Sequence, residues 1–297
     1  MPNTDPALSQ LSVTTDSSDS ERIETILLEA GAISVTLEPA AEKPVLEPRP
    51  GKTPLWERTK VAGLFYSDRD LQDVRIMLAA ALGPGTTSSV QSVPRRNWVR
   101  AWMDDFGPMR FGNRLWICPS GGSVKQDDAV IVSLDPGMAF GTGTHPTTAL
   151  CLEWLDAHPL AALDVIDYGC GCGVLSLAAC RLGAATVTAL DIDEQALLAT
   201  RDNAFRNAID ADRLATGHPE IARTGSSDLL LANILSEPLI ELRQTFASLL
   251  RPGGCVVMSG ILREQTPKVA AAYRSVFTLR EPVSKDDWVL IEGRLKD

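Results

Sequence analysis

Along the first ninety or so residues the hydrophobic positions switch between a period of two and a period near 3.6. Apolar alternation from Leu8 to Thr14 predicts a strand. A polar cluster ending in Ser20 follows, and then Ile23, Ile26, Leu27 and Ala30 recur at helical spacing, with Asp19 or Ser20 able to cap the start and Gly31 the end. Ile33, Val35 and Leu37 alternate with small polar residues, and a further strand is expected from Lys60 to Tyr66, beyond a Pro-rich loop between Pro39 and Pro54. Leu71, Val74, Met77, Leu78 and Ala81 share one helical face that stops at Gly83-Pro84-Gly85, and a short strand spans Val90 to Val93. The order β-α-β-β-α-β is that of a ferredoxin-like α+β domain, in which two helices cover one face of a sheet.

The pattern changes in the middle of the chain. From Pro94 to Pro136, Trp98, Trp102 and Trp116 stand among charged residues, which reads as a helix leading into strands across a domain junction. These tryptophans suit packing or an aromatic platform for a substrate, and packing is the commoner use. Beyond Pro136 come apolar runs without alternation, Leu163 to Asp167, Thr186 to Asp191, Asp228 to Asn233 and Cys255 to Gly260. Helical segments fit between them, at about 146–157, 173–182, 194–207, 237–250 and 263–274. Strands buried on both faces and separated by helices imply a doubly wound, mostly parallel, Rossmann-like α/β sheet. Thr278 to Glu292 supplies two more strands to close its edge. The expected division is therefore an amino-terminal domain over 1–93, a connector over 94–135 and a catalytic domain over 136–297.

Composition narrows the classes. An apolar content of 44% is ordinary for a globular protein, and no apolar run approaches the roughly 18 residues of a membrane span. A polar amino terminus without a signal peptide points to the cytoplasm. Six cysteines in 297 residues are too sparse for a disulfide scaffold, and without a second cysteine pair at finger spacing no metal site is expected. The formal net charge of -10 opposes general binding to nucleic-acid backbones and suits a basic partner.

The candidate chemistry centres on the stretch VIDYGCGCG, an apolar strand ending at Asp167 followed by Gly169, Gly171 and Gly173, opening directly into a helix. Glycines there admit a ligand that a Cβ would exclude, and a helix amino end offers unpaired N–H groups. Asp191 follows about twenty residues later at the end of the next strand, where a carboxylate can accept protons from both hydroxyls of a ribose. A pyrophosphate-binding turn prefers G-x-G-x-x-G, whereas here the third glycine comes one residue early and Val174 takes the expected place. The spacing G-x-G-x-G after an acidic residue instead resembles the first motifs of class I methyltransferases, whose cofactor, S-adenosylmethionine, carries no phosphate.

Two further segments, DPGMAFGTGTHPTT from Asp135 to Thr148 and LLLANILSEPL from Leu229 to Leu239, together with the amino-terminal split unit, closely resemble the ribosomal protein L11 methyltransferases, the PrmA family, over nearly the whole chain. The resemblance implies that Thr148, Gly169, Asp191 and Asn233 contact S-adenosylmethionine, with Thr142 and Gly171 as neighbours in the same pocket. It implies that Asn233 is catalytic, orienting the acceptor amine. It further implies a protein substrate, ribosomal protein L11, trimethylated on its α-amino group and lysine ε-amines; a monomer is the expected state, although the sequence does not write it. Asn233 is followed by Ile234-Leu235 rather than by the prolines of an NPP motif, which speaks against methylation of a nucleobase amine or of glutamine. His145 is read equally as orienting substrate and as shaping its loop. Adenine contacts between Arg213 and Ser227 are unassigned, with Glu220 as a guess. A class I methyltransferase for another protein, an RNA or a small molecule is the alternative.

Overall fold

A computed structural model describes residues 8–40, 58–83, 86–93, 107–134 and 145–296. The chain splits into two compact units, Met1–Trp98 and Val99–Asp297.

In the first unit, β1 (Leu8–Asp16), α1 (Ser20–Glu29), β2 (Ser34–Pro39), β3 (Arg58–Tyr66), α2 (Gln72–Leu82) and β4 (Ser88–Val93) follow the β-α-β-β-α-β order. The strands form an antiparallel sheet of order β2-β3-β1-β4. Side chains alternate across a strand, so Leu11 and Val13 of β1 and Val61 and Phe65 of β3 face one way. There they meet Ile23 and Leu27 of α1 and Val74 and Leu78 of α2 in a single core.

The second unit begins with β5 (Met109–Phe111), β6 (Leu115–Cys118) and β7 (Val130–Ser133), which form a three-stranded sheet. These strands lie in the stretch read as a connector, of which residues 94–106, with Trp98 and Trp102, fall outside the described residues. Phe111, Leu115, Ile117 and Val132 enter the same hydrophobic cluster as the helices beyond residue 145, so residues 107–134 share that core. Trp116 donates its indole N–H to Gln126 Oε1 at 3.1 Å, a packing arrangement within this small sheet.

Next come α3 (Pro146–Ala157), β8 (Asp164–Tyr168), α4 (Val174–Arg181), β9 (Thr186–Leu190), α5 (Glu194–Arg206), β10 (Leu214–Gly217), β11 (Ser227–Asn233), α6 (Ser236–Leu249), β12 (Leu250–Leu262), α7 (Thr266–Tyr273), β13 (Phe277–Leu279), β14 (Val283–Lys285) and β15 (Trp288–Leu295). The large sheet has the order β10-β9-β8-β11-β12-β15-β13, with β14 also on β15. Strands β10, β9, β8, β11 and β12 run parallel, and β15 reverses against β12. Strands β8, β9, β11 and β12 each feed two cores. Leu229 and Leu231 pack with Val165, Val187 and helices α3 and α4, whereas Leu230 and Ala232, which alternate with them, pack with Ile166, Val256 and helices α6 and α7. Burial on both faces explains why these strands read as continuous apolar runs. At their amino ends Arg251 clamps two strands, 2.6 Å from Asp164 and 2.5 Å from Asp228.

Two elements differ from expectation. Strand β10 was not anticipated because it is four residues long with one buried apolar side chain, too short for a period to show. The carboxyl-terminal stretch holds three strands rather than two, since β14 is a short polar return beside the turn at Asp286.

Candidate functional site

Parallel strands end on the same side of their sheet, so the residues just beyond β8, β9 and β11 gather along one edge, where an α/β fold places its ligands. The turn after β8 needs glycine for two reasons. Gly169, Gly171 and Gly173 adopt φ of 79°, 56° and 81°, a left-handed region that disfavours side chains. In addition, a Cβ on Gly169 would come 2.4 Å from Ile234 Cγ2, and one on Gly173 would come 2.7 Å from Thr200 Cγ2. At these two positions glycine thus admits neighbouring protein, beyond the ligand approach expected from sequence.

Asp191 follows β9 and is tied to this turn. Its Oδ2 accepts the Gly171 N–H at 2.9 Å and its Oδ1 accepts the Asp193 N–H at 3.0 Å. A carboxylate oxygen accepts more than one hydrogen bond, so a half-buried Asp191 anchored through two backbone amides keeps capacity for a pair of ligand hydroxyls. Directly after it, Ile192 is 82% exposed, an apolar side chain held out of the core at the edge of the same site. Sequence reasoning passed over Ile192, although an isoleucine between two aspartates at a strand end is an unusual place for one.

Asn233 ends β11 and donates from Nδ2 to Thr148 Oγ1 at 3.3 Å, a contact across 85 residues. Thr148 is fully buried in the first turn of α3. Fixing the amide nitrogen on Thr148 leaves the amide oxygen as the acceptor that a ligand amine can use. The backbone beyond Asn233 is set by Gly260 of β12, whose φ is 83° and whose added Cβ would lie 2.2 Å from the Ile234 carbonyl oxygen. Gly260 was not singled out from the sequence, because a lone glycine near the end of an apolar strand carries no motif.

Asp167, the last apolar-strand acid, is 1% exposed. Its Oδ2 accepts the Ser176 hydroxyl at 2.6 Å, while its Oδ1 is buried with no hydrogen-bond partner among the described residues. Burial pushes this carboxyl up to about 6, opposed by hydrogen bonds from Ser176 and reinforced by the negative charge of Asp191. An orphaned buried carboxylate oxygen beside a ligand turn is well matched to a cationic ligand. Burial likewise pushes the Cys172 thiol up to about 11 and that of Cys170 higher, so both stay protonated and are poor nucleophiles.

His145 stands immediately before α3. Its Nδ1 lies 2.8 Å from Thr147 Oγ1 and accepts the Thr147 N–H, capping the helix, and its ring meets Trp288 edge-on with centroids 4.8 Å apart. Burial lowers its pKa, which favours a neutral ring. Thr142 and the rest of 135–144 lie outside the described residues. Glu220 is exposed in a short turn after β10, and the nearby His218 bonds Glu194 at 2.7 Å. The structure therefore brings Gly169, Gly171, Asp191, Asn233 and Thr148 to one edge of one sheet.

The description "Ribosomal protein L11 methyltransferase (PrmA)" matches this chain over residues 7–296. A ribosomal protein L11 methyltransferase of Marinobacter nauticus is 48% identical over 293 residues, covering 97% of this chain and 98% of its own. That of Methylococcus capsulatus is 48% identical over 287 residues, covering 96% and 98%. Among solved structures, a ribosomal protein L11 methylase from Lactobacillus delbrueckii subsp. bulgaricus superposes with a TM-score of 0.59 at 32% identity, covering 65% of this chain and all of its own. A glycine turn tied to a strand-end aspartate, an asparagine locked on a buried threonine, and this full-length likeness converge: the chain belongs to the ribosomal protein L11 methyltransferase family.

Proposed function

We propose that this protein transfers methyl groups from S-adenosylmethionine to the α-amino group and lysine ε-amines of ribosomal protein L11, up to three on each nitrogen. The observation that carries the cofactor half is the tie between Gly171 N–H and Asp191, which presents a fixed carboxylate to a ribose beside a glycine turn. The residues fit the cofactor in a second respect. S-adenosylmethionine bears cationic centres, and Asp167 offers a buried carboxylate oxygen without a protein partner among the described residues. Ile192 supplies an apolar surface for a purine next to the ribose site. The substrate half rests on the relatives, whose names specify L11.

When bound, S-adenosylmethionine supplies an already activated methyl group on a sulfonium, so the protein's work is alignment and exclusion of water. In this reading Thr148, Gly169, Asp191 and Asn233 hold the cofactor, with Thr142 and Gly171 as neighbours. Asn233 orients the acceptor through its amide oxygen while Thr148 keeps that amide from rotating. An α-amine with pKa near 8 or a lysine near 10.4 must shed a proton before it reacts, and desolvation in the site favours its neutral form. The proton passes to solvent. The amino-terminal domain, residues 1–93, grips the substrate, and 136–297 perform catalysis, with strands from 107–134 packed into the catalytic core. The enzyme works as a monomer in the cytoplasm, without direct nucleic-acid or membrane contact, in keeping with a net charge of -10.

The test is to incubate the protein with labelled S-adenosylmethionine and unmethylated L11, beside Asp191→Ala, and to locate label by mass spectrometry. Label on amines is expected, with cofactor binding weakened about 100-fold in the variant, since two hydrogen bonds to a charged group are lost. Cofactor binding without transfer to L11 would overturn the substrate, and undiminished binding by Asp191→Ala would overturn the site.

A further inference from the structure

Helix α5 is amphipathic in an unusual way. Its core-facing side carries apolar Ala196, Leu197 and Ala204, yet also Thr200 and Asn203, and at the residue that ends the helix, Asn207. These three polar side chains are 0%, 4% and 1% exposed. Their spacing of three and four puts them in one row. Burying such groups is unfavourable unless each is hydrogen-bonded, and an apolar row would have packed equally well. What the polar row provides is a set of directed bonds to segments far away in the chain.

Those bonds run to two places. At one end Thr200 Oγ1 donates to the Gly171 carbonyl at 3.0 Å and Asn203 Nδ2 donates to the Cys172 carbonyl at 2.9 Å, holding the glycine turn from behind. At the other end Asn207 pairs with the backbone of Ser133 in both directions. Its Oδ1 accepts the Ser133 N–H at 2.8 Å and its Nδ2 donates to the Ser133 carbonyl at 2.7 Å. The same Nδ2 also donates to the Asn203 backbone carbonyl at 2.8 Å, which keeps the amide from swinging away, and Arg181 Nη2 donates to the Asn207 backbone carbonyl at 2.7 Å, holding the end of the helix. Ser133 is the last residue of β7. One side chain thus substitutes for a strand neighbour and fastens the end of β7 to the helix face that shapes the glycine turn.

We propose that Asn207 is a positioning residue for S-adenosylmethionine, acting through α5 to set the end of β7 and the Gly169–Gly173 turn in one fixed relation. This rests on the cofactor reading above. Asn207 touches no ligand in this scheme. Its effect reaches the cofactor through Asn203, Thr200 and the carbonyls of Gly171 and Cys172. Because the row acts as a unit, losses at Asn207 and Asn203 overlap instead of multiplying.

The test uses the full-length protein with S-adenosylhomocysteine as the binding probe, by calorimetry well below each variant's melting temperature, and steady-state kinetics with S-adenosylmethionine. Asn207→Ala and Asn203→Ala are each expected to raise Kd about tenfold, with KM for the cofactor rising in parallel and kcat within about twofold. The double variant should be about as weak as the weaker single one. Asn207→Asp, nearly isosteric, keeps the acceptor for the Ser133 N–H and removes the donor to its carbonyl, so it carries the test if Asn207→Ala fails to fold and should also bind more weakly. Wild-type Kd in Asn207→Ala or Asn207→Asp, despite a lowered melting temperature, would show a purely structural role and overturn the proposal. So would a double variant weakened by the full product of the single effects. Asp191→Ala separates the two layers: if it binds the probe normally, the cofactor site itself is misplaced, whereas if it loses binding and Asn207→Ala does not, only the role of Asn207 falls.

Discussion

The two sheets of this protein bury their strands differently, and the difference decides where a site can form. In the first unit four strands share one helix-covered core, and strands that neighbour each other in the sheet end at opposite edges. In the second, five parallel strands end together, and four of them, β8, β9, β11 and β12, are packed on both faces. Their common edge collects the glycine turn, Asp191, Asn233 and Gly260, residues contributed by four separate strand ends. An antiparallel sheet offers a surface; a parallel one, by aligning its strand ends, concentrates functional groups. This is the physical ground for placing the candidate site on the second unit.

The largest expected break in that comparison is Gly260→Ala. A Cβ 2.2 Å from the Ile234 carbonyl oxygen, on a backbone with φ of 83°, forces β12 and the loop after Asn233 apart. Both the strain and the overlap act, so the variant should lose about 4 kcal/mol of stability and most of its activity. Hydrogen exchange should show the loss in β11 and β12 and not in β1 to β4, and uniform loosening of both sheets would contradict the assignment.

Next is the buried acid. Asp167 is raised in the folded state from 3.8 to about 6, so the folded form holds its proton more tightly than the unfolded chain. Its protonation therefore supports folding below about pH 4, and this support is lost as pH rises through 6, a difference of about 3 kcal/mol for the ligand-free protein. Asp167→Asn cannot titrate. Urea unfolding of both proteins from pH 4 to 7 should show the wild type losing that amount relative to the variant, and a constant difference would sink the idea.

The smallest effect belongs to the first unit. Lys60 and Glu38 pair at 3.0 Å across β2 and β3, with both side chains more than a third exposed. Lys60→Ala should change stability by less than about 0.5 kcal/mol in thermal unfolding, since solvent screens such pairs. A loss above about 1 kcal/mol would show that this sheet depends on its ion pair.

Much of this was legible in the chain. The split order of the first unit appeared as a change of hydrophobic period, and the helix at about 146–157 as a segment fitting ahead of the first buried apolar run, where α3 lies. Gly169, Gly171 and Asp191 were legible as a local pair of motifs, since a turn and the next strand end are neighbours by topology. Thr148 and Asn233 came from family likeness, and no spacing along the chain implied that one would donate to the other. Strand β10 was too short to show, and Asp167 was seen as a motif residue with no hint that one oxygen would lack a partner among the described residues.

The sequence by itself determined the local conformations and the two-domain pattern, because periodicity, glycines with positive φ and helix caps act over a few residues. Only the tertiary structure decided which distant groups meet: Asn233 with Thr148, Gly260 with the Ile234 backbone, and Asn207 with Ser133. The reason is that hydrogen bonds and steric limits depend on through-space distance, and residues 74 or 85 positions apart leave no mark of their contact on the order of the chain.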